Sequence, residues 1–132
     1  YGQLDWRLRQ NERVIVKEKT NARFLTDQII KDPLDAIVCD ASFISLKKVL
    51  PSGLSLLKTK GWLAALIKPQ FEVGKGLVGK GGVVRDPELH QEVVADIKNW
   101  LQHDMNMYLS GVVESPILGP SGNKEFVIVA NK

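Results

Sequence analysis

Apolar positions along the chain fall into short runs without helical period and longer stretches with it, in alternation. Residues 14–17 (VIVK) read as a short strand, and within 20–32 Phe24, Leu25, Ile29 and Ile30 recur at helical spacing. Residues 35–40 form the next strand. They are too apolar to alternate, which predicts cover on both faces, as in a parallel sheet packed by helices. Leu46, Val49, Leu50, Leu54 and Leu57 return to helical spacing, with Pro51 restarting or kinking that helix and Gly61 marking its exit. A third buried strand, 62–68 (WLAALIK), ends on Lys68 just before Pro69.

Periodicity then stops. The stretch from Pro69 to Arg85 holds five of the eleven glycines and reads as a long loop. Asp86 followed by Pro87 is a strong helix start, an N-cap residue with proline at the first helical position. Through residue 103 the helix sets Leu89, Val93, Ile97 and Leu101 on one side and Glu88, Glu92, Asp96 and Lys98 on the other. Two strands, 108–114 and 125–130, close the chain. Their connection is too short for a helical crossover, so this pair is expected to be antiparallel. The sum is an α/β chain with an open sheet, mostly parallel, in which 35–40, 62–68, 108–114 and 125–130 lie together and the last runs against its neighbours.

Composition narrows the classes. A chain of 132 residues, 44% hydrophobic and 25% charged, makes one globular domain. The formal net charge of +3 is compatible with an anionic partner without demanding one. The single cysteine, Cys39, cannot form an internal disulfide and lies in an apolar run, which makes it core packing and fits a cytosolic setting. No apolar run approaches the roughly 18 to 20 residues that span a bilayer. His90 and His103 have no metal-ligand spacing to other His or Cys, so no metal site is expected.

Chemistry concentrates at strand ends. In open α/β sheets ligands bind beyond the carboxyl ends of the parallel strands. Asp40 and Lys68 end two of them, so both are expected in one crevice. On local grounds alone Asp40 could equally cap the turn that follows it, and Lys68 could be the first solvated residue after its strand.

The spellings around these positions carry more. "VCDASFISL", "LIKPQFEVGKGLVGKGGVVRDPELH", "SPILGPSGNKEF" and the opening "YGQLDWRLRQNERVIVKEKTNAR" resemble the TlyA or hemolysin-A family of FtsJ-like ribosomal RNA methyltransferases over essentially the whole chain. The resemblance implies a partial Rossmann-like class I methyltransferase domain over residues 1–132 and methyl transfer from S-adenosyl-L-methionine to a ribose 2'-hydroxyl of ribosomal RNA. It also implies a Lys-Asp-Lys-Glu tetrad whose last three members fall on Asp40, Lys68 and Glu125. A 2'-hydroxyl is a poor nucleophile that must be held in line and relieved of its proton, which suits a lysine oriented by carboxylates. The resemblance puts the rim of the adenosine pocket near 20–23, which makes Asn21 a candidate cofactor contact beside Asp40. Helix capping by Thr20 or Asn21 is an equal local reading.

Lys75, Lys80 and Arg85, in the glycine-rich loop, could follow a phosphate backbone, although such a composition also suits a solvated loop, and Phe71 is its lone aromatic. "GKGLVGKG" does not have the spacing of a nucleotide phosphate loop and lacks Ser or Thr after its lysine. By the same resemblance, the first two strands of the family's sheet, its cofactor loop, the first tetrad lysine and an S4-type RNA-binding domain are expected before Tyr1. The chain alone is then expected to be inactive. Two other classes stay open: a noncatalytic RNA-binding module, and a membrane-active hemolysin, for which the acidic 87–103 helix is a poor membrane-binding face.

Overall fold

The computed structural model describes residues 2–132. Among them a four-stranded sheet forms in the order β1-β2-β4-β3, with β1 Leu34–Cys39, β2 Leu57–Ile67, β3 Tyr108–Glu114 and β4 Phe126–Asn131. β1 and β2 are parallel, and β4 runs antiparallel to both β2 and β3. The antiparallel last strand is the one the short connection predicts. Three α-helices accompany the sheet: α1 Trp6–Arg9, α2 Leu46–Ser55 and α3 Pro87–Asn99.

The core follows from alternation on the central strands. Leu63, Ala65 and Ile67 of β2 and Ile128 and Ala130 of β4 point to one face, where they cluster with Leu46, Leu50 and Leu54 of α2 and Val93 and Ile97 of α3. Asp86 caps α3 by accepting from the Glu88 N–H at 2.9 Å, with Pro87 behind it, as the sequence predicts. The helix does not run regularly to 103. A π-helical turn, Trp100–Asp104, widens its end, and Trp100 and Leu101 both reach the core.

Other expectations need correction. Residues 14–17 form no strand and 20–32 no α-helix; only a 3-10 turn, Ala22–Phe24, is helical there. A strand exists only where a neighbour takes up its backbone groups, and the partner of β1 in this sheet is β2 alone. Ile15, Ile29 and Ile30 instead line a hollow beside Leu34. Nor is β1 covered on both faces: Val38 is 75% exposed, and the face it shares with Trp62 carries no helix among the described residues.

The second helix stops at Ser55 instead of near Gly61, and Leu57 already belongs to β2. Gly61 sits in an irregular stretch of strand, where Leu34 pairs with Leu57 but Ala36 with Trp62. A Cβ on Gly61 would come within 2.7 Å of the Leu57 side chain and 2.8 Å of the Lys58 carbonyl. The Gly61→Ala variant is therefore expected to lose about 1–3 kcal/mol of stability through overpacking. Gly74→Ala, which meets nothing within 4 Å, is expected to change stability by less than about 0.5 kcal/mol. Urea unfolding of the two variants checks the contrast.

Candidate active site

Sheet register brings the predicted residues to one edge. Cys39 pairs with Ala65, so Asp40 leaves β1 close to where β2 ends. Ile67 pairs with Phe126, so Lys68, just after β2, and Glu125, just before β4, flank a single rung of the antiparallel ladder. On the other side of β4, the Ser115 N–H donates to the Glu125 carbonyl at 2.8 Å and extends the β3–β4 ladder by one bond.

The side chains settle into two linked groups. Lys68 is 8% exposed, and its Nζ lies 2.5 Å from Asp40 Oδ1 and donates to Ser42 Oγ at 3.1 Å. Asp40 itself stays open, with 68% of its side chain exposed. Glu125, 6% exposed, makes no ion pair with Lys68; its Oε2 accepts from Gln70 Nε2 at 3.2 Å. Gln70 lies on the 3-10 turn Pro69–Phe71 that follows Lys68, so the chain itself joins the two groups. Gln70 Oε1 is buried without a hydrogen-bond partner. Gly119 lies close against them: a Cβ there would fall 2.1 Å from Glu125 Oε2 and displace that carboxylate.

The same loop closes a wider hollow, about 540 Å³ in volume, walled by Phe43, Phe71, Gln70 and Glu72 and edged by Arg23, Lys48 and Lys75. Phe43 is 89% exposed, and its ring contacts that of Phe71 at 5.0 Å between centroids. A polar, cationic hollow with an exposed Phe43 ring beside a partly buried Phe71 suits an anionic, planar-ringed ligand.

Of the other sequence candidates, Lys75 borders this hollow, whereas the Arg85 guanidinium folds back to donate to the Lys80 carbonyl at 3.1 Å. Asn21 caps the 3-10 turn, its Oδ1 accepting from the Arg23 N–H at 3.0 Å. It makes no hydrogen bond to Asp40 or Lys68. Cys39 is partly buried at the core margin, and burial pushes its thiol up from 9.0, toward the neutral form. No group of three or more His, Cys, Asp or Glu among the described residues is placed to hold a metal ion. No helix among them is long and apolar enough to cross a membrane.

Four polar side chains escaped the sequence reading: Ser42, Gln70, Glu72 and Asn123. Asn123, 2% exposed, accepts from the Val84 N–H at 3.0 Å and donates to the Gly82 and Pro120 carbonyls at 2.9 and 3.0 Å. It thereby pins the glycine-rich loop to the β3–β4 connection. All four lie inside the quoted family spellings, the one signal that could have singled them out.

Glu72 is partly buried, and desolvation pushes its carboxyl above the ordinary 4.5, against the hydrogen bonds from Ser45 and Leu46. With a folded value above the unfolded one, its contribution to stability is full below about 4.5 and is lost as pH rises through the folded value. Wild-type stability relative to Glu72→Gln is therefore expected to fall from about pH 4 to pH 7, in urea unfolding at each pH.

A family model described as FtsJ-like methyltransferase matches residues 1–132. The chain is 47% identical over 128 residues to the 16S/23S rRNA (cytidine-2'-O)-methyltransferase TlyA of Mycobacterium tuberculosis, covering 97% of this chain and 47% of that protein. It is 34% identical over 130 residues to Hemolysin A of Brachyspira hyodysenteriae, covering 96% and 53%. The chain thus spans about half the length of these curated relatives. The crystal structure of a protein carrying the hemolysin name in Lactococcus lactis superposes with a TM-score of 0.92 at 37% identity, over 98% of this chain and 62% of that one. The match along its whole length makes this chain a member of the FtsJ-like methyltransferase family.

Proposed function

We propose that the protein containing this chain methylates a ribose 2'-hydroxyl of ribosomal RNA, with S-adenosyl-L-methionine as the methyl donor. The observation that carries this reading is the buried Lys68 amine held against Asp40 where β1 and β2 end together. A relative 47% identical over 128 residues bears the 2'-O-methyltransferase name.

The chemistry asks for an attacking oxygen held in line and a place for its proton. Lys68 Nζ is the group that positions the hydroxyl and takes the proton, and it must be in its neutral form when it does so. Asp40 and Ser42 fix the direction of the amine through the contacts at 2.5 and 3.1 Å. Glu125 closes the far side of the site, set by Gln70 and by the tight approach of Gly119. Phe43 and Phe71 offer ring surface to a base, and Lys48 and Lys75 offer charge to phosphates. Lys80 and Arg85, in the glycine-rich loop but outside the walls of this hollow, are assigned to phosphates farther along the RNA.

The methyl donor fits this chain at one end. A hollow of about 250 Å³ with mostly apolar walls, among them Val38, Ala64 and Leu66, opens beside the Asp40 carboxylate. Asp40 and this hollow would hold the cationic sulfonium end, and the donor supplies the electrophilic methyl group. Asn21 is assigned to the adenosine rim. So small a hollow takes part of a nucleoside-sized ligand, so the isolated 132-residue chain is proposed to bind the donor weakly and to be inactive.

Single-turnover methylation of ribosomal subunits by the full-length protein tests the assignment. Lys68→Ala is expected to slow transfer by about 10²–10⁴-fold, because the interaction is made mainly in the transition state. Calorimetric affinity for S-adenosyl-L-methionine is expected to stay within a few-fold of wild type. Undiminished transfer by the variant would remove Lys68 from the chemistry.

A further inference from the structure

We propose that Glu72 is a positioning residue for this site: its carboxylate clamps the loop after β2 to the loop after β1 and so holds Lys68 against Asp40. The proposal rests on the functional reading above for its activity readout and on geometry for the rest.

The two loops run side by side in matching order. Lys68 meets Asp40 and Ser42, Phe71 meets Phe43, and Glu72 meets Ser45 and Leu46. Glu72 Oε2 accepts from Ser45 Oγ at 2.7 Å, and Oε1 accepts from the Leu46 N–H at 2.8 Å. Among the described residues no backbone hydrogen bond crosses between these loops. Their alignment therefore depends on side chains, and apart from Lys68 itself Glu72 supplies the hydrogen bonds that tie them.

The carboxylate bonds to a fixed element. Ser45 is the N-cap of α2, its Oγ also accepting from the Lys47 N–H at 3.2 Å, and Leu46 is the first residue of that helix. An anion at a helix N-terminus is favoured by the unpaired N–H groups and the helix dipole. The charged groups around it pull in both directions: Lys47 stabilises the anion, and Asp96, which pairs with Lys47 at 2.6 Å, opposes it. Glu72 thus gives the aperiodic loop after β2 a rigid anchor four residues beyond Lys68.

A helix cap alone and a loop clamp differ in what happens to Lys68. Removing a cap lowers stability and leaves a distant amine as it was; removing a clamp uncovers the amine. The test uses the full-length protein as wild type, Glu72→Ala and Glu72→Gln, each confirmed folded by circular dichroism. Acylation of Lys68 by acetic anhydride is followed by peptide mass spectrometry, alongside single-turnover methylation and the KM for ribosomal subunits. Glu72→Ala is expected to raise Lys68 acylation about tenfold and to lower the transfer rate without raising KM, as local opening exposes a buried group. Glu72→Gln, which keeps one acceptor oxygen for Leu46, is expected to stay within about threefold of wild type. Should Glu72→Ala fail to fold, Ser45→Ala removes one partner and is expected to give a smaller rise in the same direction.

Unchanged Lys68 acylation in a folded Glu72→Ala protein, or in Ser45→Ala where it replaces that variant, overturns the clamp. Faster acylation in a protein whose wild type does not methylate ribosomal subunits supports the clamp and defeats the functional reading instead.

Discussion

The fold turns on the mixed pairing of β2. It binds a parallel strand on one side and an antiparallel strand on the other, so the carboxyl end of β1, the carboxyl end of β2 and the amino end of β4 meet at one edge of the sheet. An all-parallel sheet would place the start of the last strand at the opposite edge, and Glu125 with it. The antiparallel return therefore decides the composition of the site. Ladder hydrogen bonds fix the positions of Asp40, Lys68 and Glu125 to within one residue beyond regular strand, before any side chain makes a contact.

Electrostatics then separates their roles. Lys68 is almost fully buried and Asp40 mostly open, so the pair lies between the exposed ion pairs that contribute little and the buried ones whose breaking costs several kcal/mol. Losing Asp40 would leave a buried amine with Ser42 as its one hydrogen-bond partner. The openness of Asp40 has its own use, since a carboxylate at the mouth can face an incoming cation while its inner oxygen holds the lysine. Glu125 is arranged the other way, buried and held by a neutral amide, with a glycine backbone pressed against it. Two carboxylates at one sheet edge thus present different surfaces to a ligand.

How much of this could be read beforehand depends on what kind of signal each feature leaves. The α3 helix was legible because cap, proline and a four-residue apolar repeat agree, and the strands on either side of it because their runs are apolar and short. Asp40 and Lys68 were legible as charges closing apolar runs. Glu125 came through only in the family spelling, since nothing local to it marks a site. The strand expected at 14–17 failed because four residues cannot carry a strand without a neighbour, and neighbours are not written in local sequence. Gly61 was misplaced for a related reason: a glycine after an apolar helix and a glycine in a strand irregularity look alike until the partner strand is known. Ser42, Gln70 and Glu72 sit in aperiodic segments, where hydrogen-bond partners across two loops leave no spacing to detect.

A site built on loop residues has to solve a problem that one built within strands does not. Strand ladders stop at Cys39 and Ile67, and the residues that follow have no regular backbone partners to hold them. The molecule answers with side chains of graded burial: a lysine near the sheet, an aromatic pair farther out, and a glutamate bonded to the first turn of α2. Glu72 is costly to bury, as the upward push on its carboxyl records, and its hydrogen bonds only partly offset that desolvation. A residue kept solely for stability would be better replaced by an uncharged one at this position. That a charge sits there, bonded to a helix start and four residues from a buried amine, is the pattern expected where geometry at the site is held at some expense to the fold.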